Sequence, residues 1–539
     1  MSSNILVTVC VDEEWIDILQ NLEQKCDWKI RYLVGLPEME ERARNTFNGI
    51  LFENVRHFLT GLESPGKELV ESKEISALPE KPFEFDLLEK LSKYEFMTKY
   101  MINREYEKGS DRTNEIYFDL INYWLKIIDF TKPSLIIVPW TPYTSREYVL
   151  YGLSQILGIK FLSFRRATIG YYLNIPFSNP QGPNYEEVVL TYEHFKAISP
   201  SPLKITDCKI RKYAMQKIQK MADLNCKNLL ADHEKKLKSA ASLNKFVIIR
   251  DHSLNALKNI IQIGKGQSTK IFSHKFDLQK SISFIFNNIK GSFILIRESL
   301  KNFIIITEKV NKLKALKLIY DTHCIEPDYN RPYIFFPLNY QPEQTTAPFG
   351  NYAVYQYLPI EMIARFLPEN WVLYIKEHHT TFSPNHGGLR KRSKEYYERI
   401  SKIPNVALIP IETESAVLID HSQAVATITG SAGLEGVLRG KPVLTFGFAW
   451  YNGCEGVFHI QNHNECKEVI EKIRQGIKVD PNQMLLFVQA TEAVGAKVNY
   501  SFSLKNLGDE SITREDTVIN MTECISNWWE KKCTNHQQG

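Results

Sequence analysis

The stretch Ala424-Val425-Ala426-Thr427-Ile428-Thr429-Gly430-Ser431-Ala432-Gly433-Leu434-Glu435-Gly436, followed by Gly440-Lys441-Pro442-Val443, decides the fold. The apolar run Ala424–Ile428 reads as a buried strand, and the small residues after it make a tight turn. A helix then runs to Arg439, and Gly440-Lys441-Pro442 turns into the strand Val443–Phe446. Strand, turn, helix and strand in this order form a βαβ unit of a parallel sheet. Small residues at such a turn let a ligand approach the backbone, and the helix N-terminus offers N–H groups to a phosphate. Thr429, Gly430, Ser431, Ala432 and Gly433 are therefore candidate ligand-binding residues, with Thr429 and Ser431 adding hydroxyl donors. Glu435, one turn into the helix, is placed to accept from ribose hydroxyls. The plainer reading is a tight turn with Ser431 as helix cap.

The same rhythm extends outward. Strands are expected at Tyr333–Phe336, Trp371–Lys376 and Val406–Pro410, with helices at Leu358–Phe366 and Glu414–Asp420. In the first half, strands are expected at Asn4–Val11, Ile30–Val34, Ser134–Pro139 and Ile159–Phe164, a helix at Glu147–Leu157, and helix through most of 84–130. Residues 175–203, rich in Pro, Asn and Ser, read as a long loop. Residues 204–320 read as helices with basic faces and one strand, Phe246–Arg250. The expected fold class is α/β, with two Rossmann-like domains facing a cleft and a basic, helical middle segment. The expected domains are 1–203, 204–330, and 331–539 with a helical tail.

The composition is that of an ordinary globular protein of 539 residues, 43% hydrophobic and 24% charged. Its nine cysteines are scattered without a C-x-x-C pair, which argues against a disulfide framework and fits a reducing compartment. The N-terminus lacks the basic segment of a signal peptide, and no apolar window is long enough to span a bilayer, so a cytoplasmic location is expected. The net charge of +4 is unevenly spread. Residues 204–317 hold 24 Lys and Arg against 8 Asp and Glu, a net +16, which leaves 4 − 16 = −12 for the rest. Within that segment Ser281–Tyr320 is both apolar and basic, suited either to an anionic membrane surface or to an interdomain helical pair. No nucleic-acid module is visible.

Other candidates stand at expected strand ends, where ligands bind in open parallel sheets. Lys376-Glu377-His378-His379 ends Trp371–Lys376, and a histidine there can neutralise a departing phosphate. A zinc site is not indicated, since no third ligand accompanies the histidines. The polar loop Asn339–Thr346 contains Gln341 and Gln344, suited to a sugar or a base. Phe446-Gly447-Phe448-Ala449-Trp450-Tyr451 reads as an aromatic wall or as core. Asp12 (with Glu13 and Glu14) and Glu147 (beside Arg146) are candidate bases or nucleophiles, each set against a solvated loop carboxylate. Arg165 and Arg166 are candidates for an anionic sugar.

The segment Tyr333–Ile460 resembles the C-terminal domain of the capsule polysaccharide biosynthesis family, which includes bacterial Kdo transferases. The resemblance lies in Phe336–Glu343, Tyr374–His378, Thr427–Glu435, Leu438–Leu444 and Gly447–Gly456. It implies a GT-B fold, a nucleotide-sugar donor such as CMP-Kdo, and a surface-polysaccharide or lipid-linked acceptor. It implies no cofactor and no metal. In that family a His-Pro motif and a Ser/Thr motif hold the nucleotide. His378 and Thr429–Ser431 match them, with His379 where Pro is usual. The resemblance carries over His378 and Thr429–Ser431; with the strand-end reading, Gln341, Gln344, Lys376, His378, His379, the 429–433 turn and Glu435 make the expected donor site, and Glu147, Asp12 and His378 are the expected catalytic groups, the two carboxylates from their positions after strands alone. A GT-B-like nucleotide-sugar 2-epimerase and a non-catalytic glycan-binding member of an assembly complex are the alternatives. The basic run 204–317 is expected to meet an anionic membrane surface.

Overall fold

The computed structural model describes residues 2–55, 72–106, 110–168, 172–180, 185–198, 305, 307–341, 346–383, 389, 391–500 and 512–534. The expected strand Phe246–Arg250, most of the basic middle and Gln344 lie outside the described residues.

Two sheets organise the chain. The first contains β1 (Ser3–Cys10), β2 (Trp28–Gly35), β3 (Leu51–Asn54), β4 (Leu135–Val138), β5 (Lys160–Thr168) and β6 (Tyr172–Phe177), in the spatial order β3-β2-β1-β4-β5-β6. All its pairings are parallel up to the antiparallel β5–β6 hairpin. Its helices include α1 (Glu14–Cys26), α2 (Phe85–Tyr106), α3 (Ser110–Thr131), α4 (Ser145–Ile156) and α5 (Glu186–Ile198). The second sheet contains β7 (Tyr333–Pro337), β8 (Val372–Lys376), β9 (Val406–Ile409), β10 (Ala424–Thr427), β11 (Val443–Thr445) and β12 (Val457–His459), all parallel, in the order β12-β11-β10-β7-β8-β9. This is the doubly wound order, whose direction of winding reverses between β7 and β10; the reversal in the first sheet falls between β1 and β4. The strands are nearly continuous apolar runs because helices cover both faces; Tyr333, Ile334, Phe335 and Phe336 are all fully buried.

Three expectations need correction. The segment 175–203 is not one long loop: Tyr172–Phe177 is β6, and Glu186–Ile198 is α5. The end of the basic middle belongs to the second domain, because residues 307–322 are helical and bury Leu316 and Tyr320 against β7 and its neighbours. Tyr320 then donates its hydroxyl proton to the Ile409 carbonyl at 2.5 Å and accepts from the Glu377 N–H at 3.0 Å. The tail does not stay with the second domain. After α6 (Lys394–Ser401), α7 (Ser431–Leu438) and α8 (Pro481–Val494), strand β13 (Ala496–Val498) pairs antiparallel with β6 on the first sheet. The last helix, α9 (Arg514–Thr534), packs on α1, with Trp529 edge-on to Trp28 at 5.5 Å. Crossing back in this way ties the two sheets together. Among the described residues no helix is long and apolar enough to cross a membrane.

Candidate functional site

A cleft of about 540 Å³ opens where the C-terminal ends of β7 and β10 meet the β5 strand of the first sheet. On the second-sheet side, Thr427 ends β10 and its hydroxyl accepts from the Gly430 N–H at 3.1 Å, which sets the turn. Gly430 is the N-cap of α7 and supplies no side-chain cap, so the first-turn N–H groups of the helix face the cleft with its positive dipole end. Thr429, Gly430, Ser431 and Ala432 all line the cleft, as the sequence suggests. Gly433 does not line it. A Cβ at Gly433 would come within 2.3 Å of the Tyr451 hydroxyl, which donates to the Gly430 carbonyl. This glycine is therefore required by the tyrosine that braces the turn rather than by a ligand. Glu435 is half-buried behind the wall, near enough to Tyr451 to help burial raise that phenol's pKa. Of the expected aromatic wall, Trp450 and Tyr451 line the cleft, whereas Phe446 and Phe448 turn to a separate cavity.

His378 stands at the end of β8 and lines the cleft. Its Nδ1 accepts from the Thr380 backbone N–H at 3.3 Å. A backbone N–H can only donate, so in the neutral ring the proton sits on Nε2. The ring is flanked by Tyr340 at 5.9 Å and stacked on His379 at 4.4 Å. His379 itself is exposed and absent from the cleft lining. Lys376 is also turned away: its ammonium donates to the Thr413 carbonyl and, at 2.8 Å, to the Ser415 hydroxyl.

Gln341 is buried and committed to a polar network rather than to the cleft. Its Nε2 donates to the Val354 carbonyl at 2.8 Å, and its Oε1 accepts from Gln356 at 2.9 Å and from Arg392 at 2.8 Å. Arg392 also donates to the Asn339 carbonyl at 3.1 Å and to the Glu377 carboxylate at 2.6 Å. Glu377 in turn accepts from the His378 N–H at 2.7 Å and from the Tyr397 hydroxyl at 2.9 Å. The network joins the loop after β7 to the loop after β8, and so fixes Asn339 and His378 in the cleft wall. Sequence reasoning missed Arg392; its only local signal is the basic run Arg390-Lys391-Arg392.

The opposing wall is basic. Arg165 and Arg166 of β5 both line the cleft. The Arg165 guanidinium lies 4.2 Å from the centre of the Phe349 ring, bridging the two sheets. Arg166 lies 4.8 Å from the Trp140 ring and 5.7 Å from those of Tyr172 and Tyr500. Burial pulls its pKa down, and Tyr500 and Asp12 oppose that shift.

Neither expected catalytic carboxylate lines the cleft. Asp12 is fully buried at the end of β1, just after a bulge in which Val9 has φ +41°, a strained value for a β-branched residue. Trp140 Nε1 donates to the Val9 carbonyl at 2.9 Å, so the ring that carries Arg166 also holds this bulge. Glu147 is 1% exposed on α4. It accepts from the Thr144 hydroxyl at 3.1 Å while its own N–H donates back to that hydroxyl at 3.1 Å, which makes Thr144 the N-cap of α4. Burial is the main cause pushing its pKa up to about 8, with Glu105 adding to it. Burial thus favours the protonated form of Glu147, whose carboxyl lies outside the cleft lining. Among the described residues no three His, Cys, Asp or Glu side chains stand together as metal ligands.

No curated protein matches the chain. Solved structures match with low scores. A KpsC beta Kdo 2,7 transferase of Thermosulfurimonas dismutans is 15% identical over 40% of this chain and 61% of its own, with TM-score 0.20. The chain thus spans about three fifths of that structure's length. The UDP-GlcNAc 2-epimerase of Methanocaldococcus jannaschii is 11% identical over 91% of this chain and 99% of its own, with TM-score 0.22. CalG4, the calicheamicin glycosyltransferase, is 11% identical over 91% and 93%, with TM-score 0.19. The family described as capsule polysaccharide biosynthesis protein matches residues 305–482, which carry His378, the Arg392 network and the glycine-rich turn. That segment is similar to the capsule polysaccharide biosynthesis family.

Proposed function

We propose that the chain is a glycosyltransferase that takes a sugar from a nucleotide-sugar donor, bound in the cleft, and passes it to a glycan acceptor. The observation that carries this reading is the facing of two anion-binding walls. One is the α7 N-terminus with Thr429, Ser431 and His378; the other is Arg165 and Arg166. When the sugar–phosphate bond breaks, negative charge grows on the departing nucleotide. Donors already fixed in place stabilise that charge without reorganising. His378 Nε2–H, the first-turn N–H groups and the Ser431 hydroxyl are such donors. A CMP-activated acidic sugar suits the cleft, because it presents a phosphate to one wall and a carboxylate to the other. Asp12 acts here as the charge partner of Arg166, and no proton transfer is assigned to it. The acceptor would be a surface polysaccharide or lipid-linked glycan, and the net +16 of residues 204–317 suits an anionic membrane that carries it.

The test is calorimetric titration of the full chain with CMP, UDP and GDP, alongside His378→Ala and Ser431→Ala. The expected result is CMP bound in preference, with affinity lowered about tenfold in each variant, the order of one charge-assisted hydrogen bond. Preference for UDP would move the donor and favour the epimerase. Binding of no nucleotide would sink the proposal.

A further inference from the structure

A second cavity, about 570 Å³ in volume, lies on the other side of the loop that follows β7. Leu338, Asn339 and Tyr340 line the first cleft, and Gln341, the next residue, lines this one. The two spaces therefore share a wall one loop thick. The far wall is a stripe of α2, in which Phe96, Lys99, Tyr100 and Asn103 recur at the i, i+3, i+4, i+7 spacing of one helix face.

The chemistry of this cavity is aromatic and cationic. Tyr355 lies 5.8 Å from Phe96 and 6.1 Å from Tyr100, so the rings form one continuous surface. The Lys391 ammonium sits 3.9 Å from the centre of the Tyr100 ring. Lys99 adds a second ammonium, paired with Glu95 one turn back outside the lining. None of the described lining side chains is acidic. Arg392 also lines the cavity, but its charge is taken up by Glu377.

An independent observation points to a ligand. The Tyr396 hydroxyl, at the start of α6, is buried and has no hydrogen-bond partner among the described residues. A buried hydroxyl left unpaired costs stability, so its retention needs a reason. Burial pushes its pKa up to about 12, which keeps it protonated and able to donate.

We infer that this cavity binds the acceptor, as an acidic saccharide whose rings stack on Phe96, Tyr100 and Tyr355 and whose anionic group meets Lys391 and the Tyr396 hydroxyl. The assignment rests on the glycosyltransferase reading only for the word acceptor; the binding chemistry stands on the cavity itself. Aromatic faces take the apolar face of a pyranose, and a cation beside them selects a carboxylate or phosphate over a neutral sugar. The shared loop places an occupant of this cavity next to the donor cleft.

The test is calorimetry on the full chain with trigalacturonate, maltotriose and glucose 6-phosphate as probes, and with CMP titrated into the same samples. Tyr396→Phe removes only the unpartnered hydroxyl and Lys391→Gln only a partly exposed charge, so both variants should fold. Trigalacturonate is expected to bind at least about tenfold more tightly than maltotriose, and each variant to weaken it several-fold, as for a lost hydrogen bond to a charged group. CMP affinity is expected to stay unchanged in both. If glucose 6-phosphate binds instead and responds to the same variants, the anionic-sugar assignment holds and phosphate is the recognised group. The inference is overturned if neither anion binds more tightly than maltotriose, or if both variants bind the anion as wild type does. Loss of CMP binding alone would count against the donor site and leave this one standing.

Discussion

Arg392 Nε donates to the Glu377 carboxylate at 2.6 Å, and both side chains are almost wholly buried. The pair stands between the two cavities and holds the loop that carries His378. Removing one partner of a buried ion pair leaves the other charge uncompensated, at a cost of roughly 3–5 kcal/mol. Glu377→Gln should therefore lower the midpoint of thermal unfolding by several degrees. It should also weaken nucleotide binding, because a glutamine offers one acceptor oxygen where the carboxylate offers two to the His378 N–H, Arg392, Thr381 and Tyr397. An unchanged melting temperature would show that the pair is not what holds the loop.

Glu147 gives a prediction with a definite sign in pH. Its folded pKa of about 8 lies above the ordinary carboxylate value of 4.5. The folded state thus holds a proton that the unfolded state releases. Its contribution to stability is complete below about pH 4.5 and is lost as pH rises towards 8. Glu147→Gln mimics the protonated form and should flatten that part of the stability–pH curve while leaving transfer activity intact. A large loss of activity in Glu147→Gln, with stability unchanged, would return this residue to the catalytic list.

Gly433 and Tyr451 should behave as a coupled pair. Gly433→Ala sets a methyl against the Tyr451 hydroxyl and should weaken CMP binding by displacing the turn. Tyr451→Phe alone forfeits one hydrogen bond, about 1 kcal/mol. In the double variant much of the Gly433→Ala defect should disappear, giving a non-additive cycle measurable in both melting temperature and CMP affinity. Strict additivity would mean that the two residues do not meet.

Arg166→Lys keeps the charge but loses the flat guanidinium that lies on Trp140. A lysine cannot reproduce that stacking, so transfer should fall by about tenfold or more. Full activity in Arg166→Lys would show that charge alone suffices at this wall.

The second sheet was legible because its strands are apolar runs punctuated by glycine and proline, and the small residues after β10 marked a tight turn into a helix. The first sheet was less so. β6 contains Asn174 and Pro176, which break the apolar run of a strand, while β13 is three residues long and pairs with a strand more than 300 residues earlier. Such pairings are set by tertiary context and leave no local period. Among site residues, the sequence located strand ends correctly but not which way the side chains face. Lys376, Gln341 and Glu147 stay out of the cleft lining because the Thr413 carbonyl, Arg392 and Thr144 claim them. Residues 307–322 read as part of the basic helical middle because their lysines outnumber the Leu316 and Tyr320 positions that anchor the helix.

The central claim is that one bound nucleotide phosphate and its sugar are held from both sheets at once. It is tested most directly by CMP-sugar affinity in Arg165→Ala, on the first sheet, and Ser431→Ala, on the second, measured by calorimetry on the full chain. The account predicts that each substitution weakens binding by about tenfold while the melting temperature stays near that of the wild type. Wild-type affinity in Arg165→Ala, with loss confined to Ser431→Ala, would contradict it and leave the ligand on the second sheet alone.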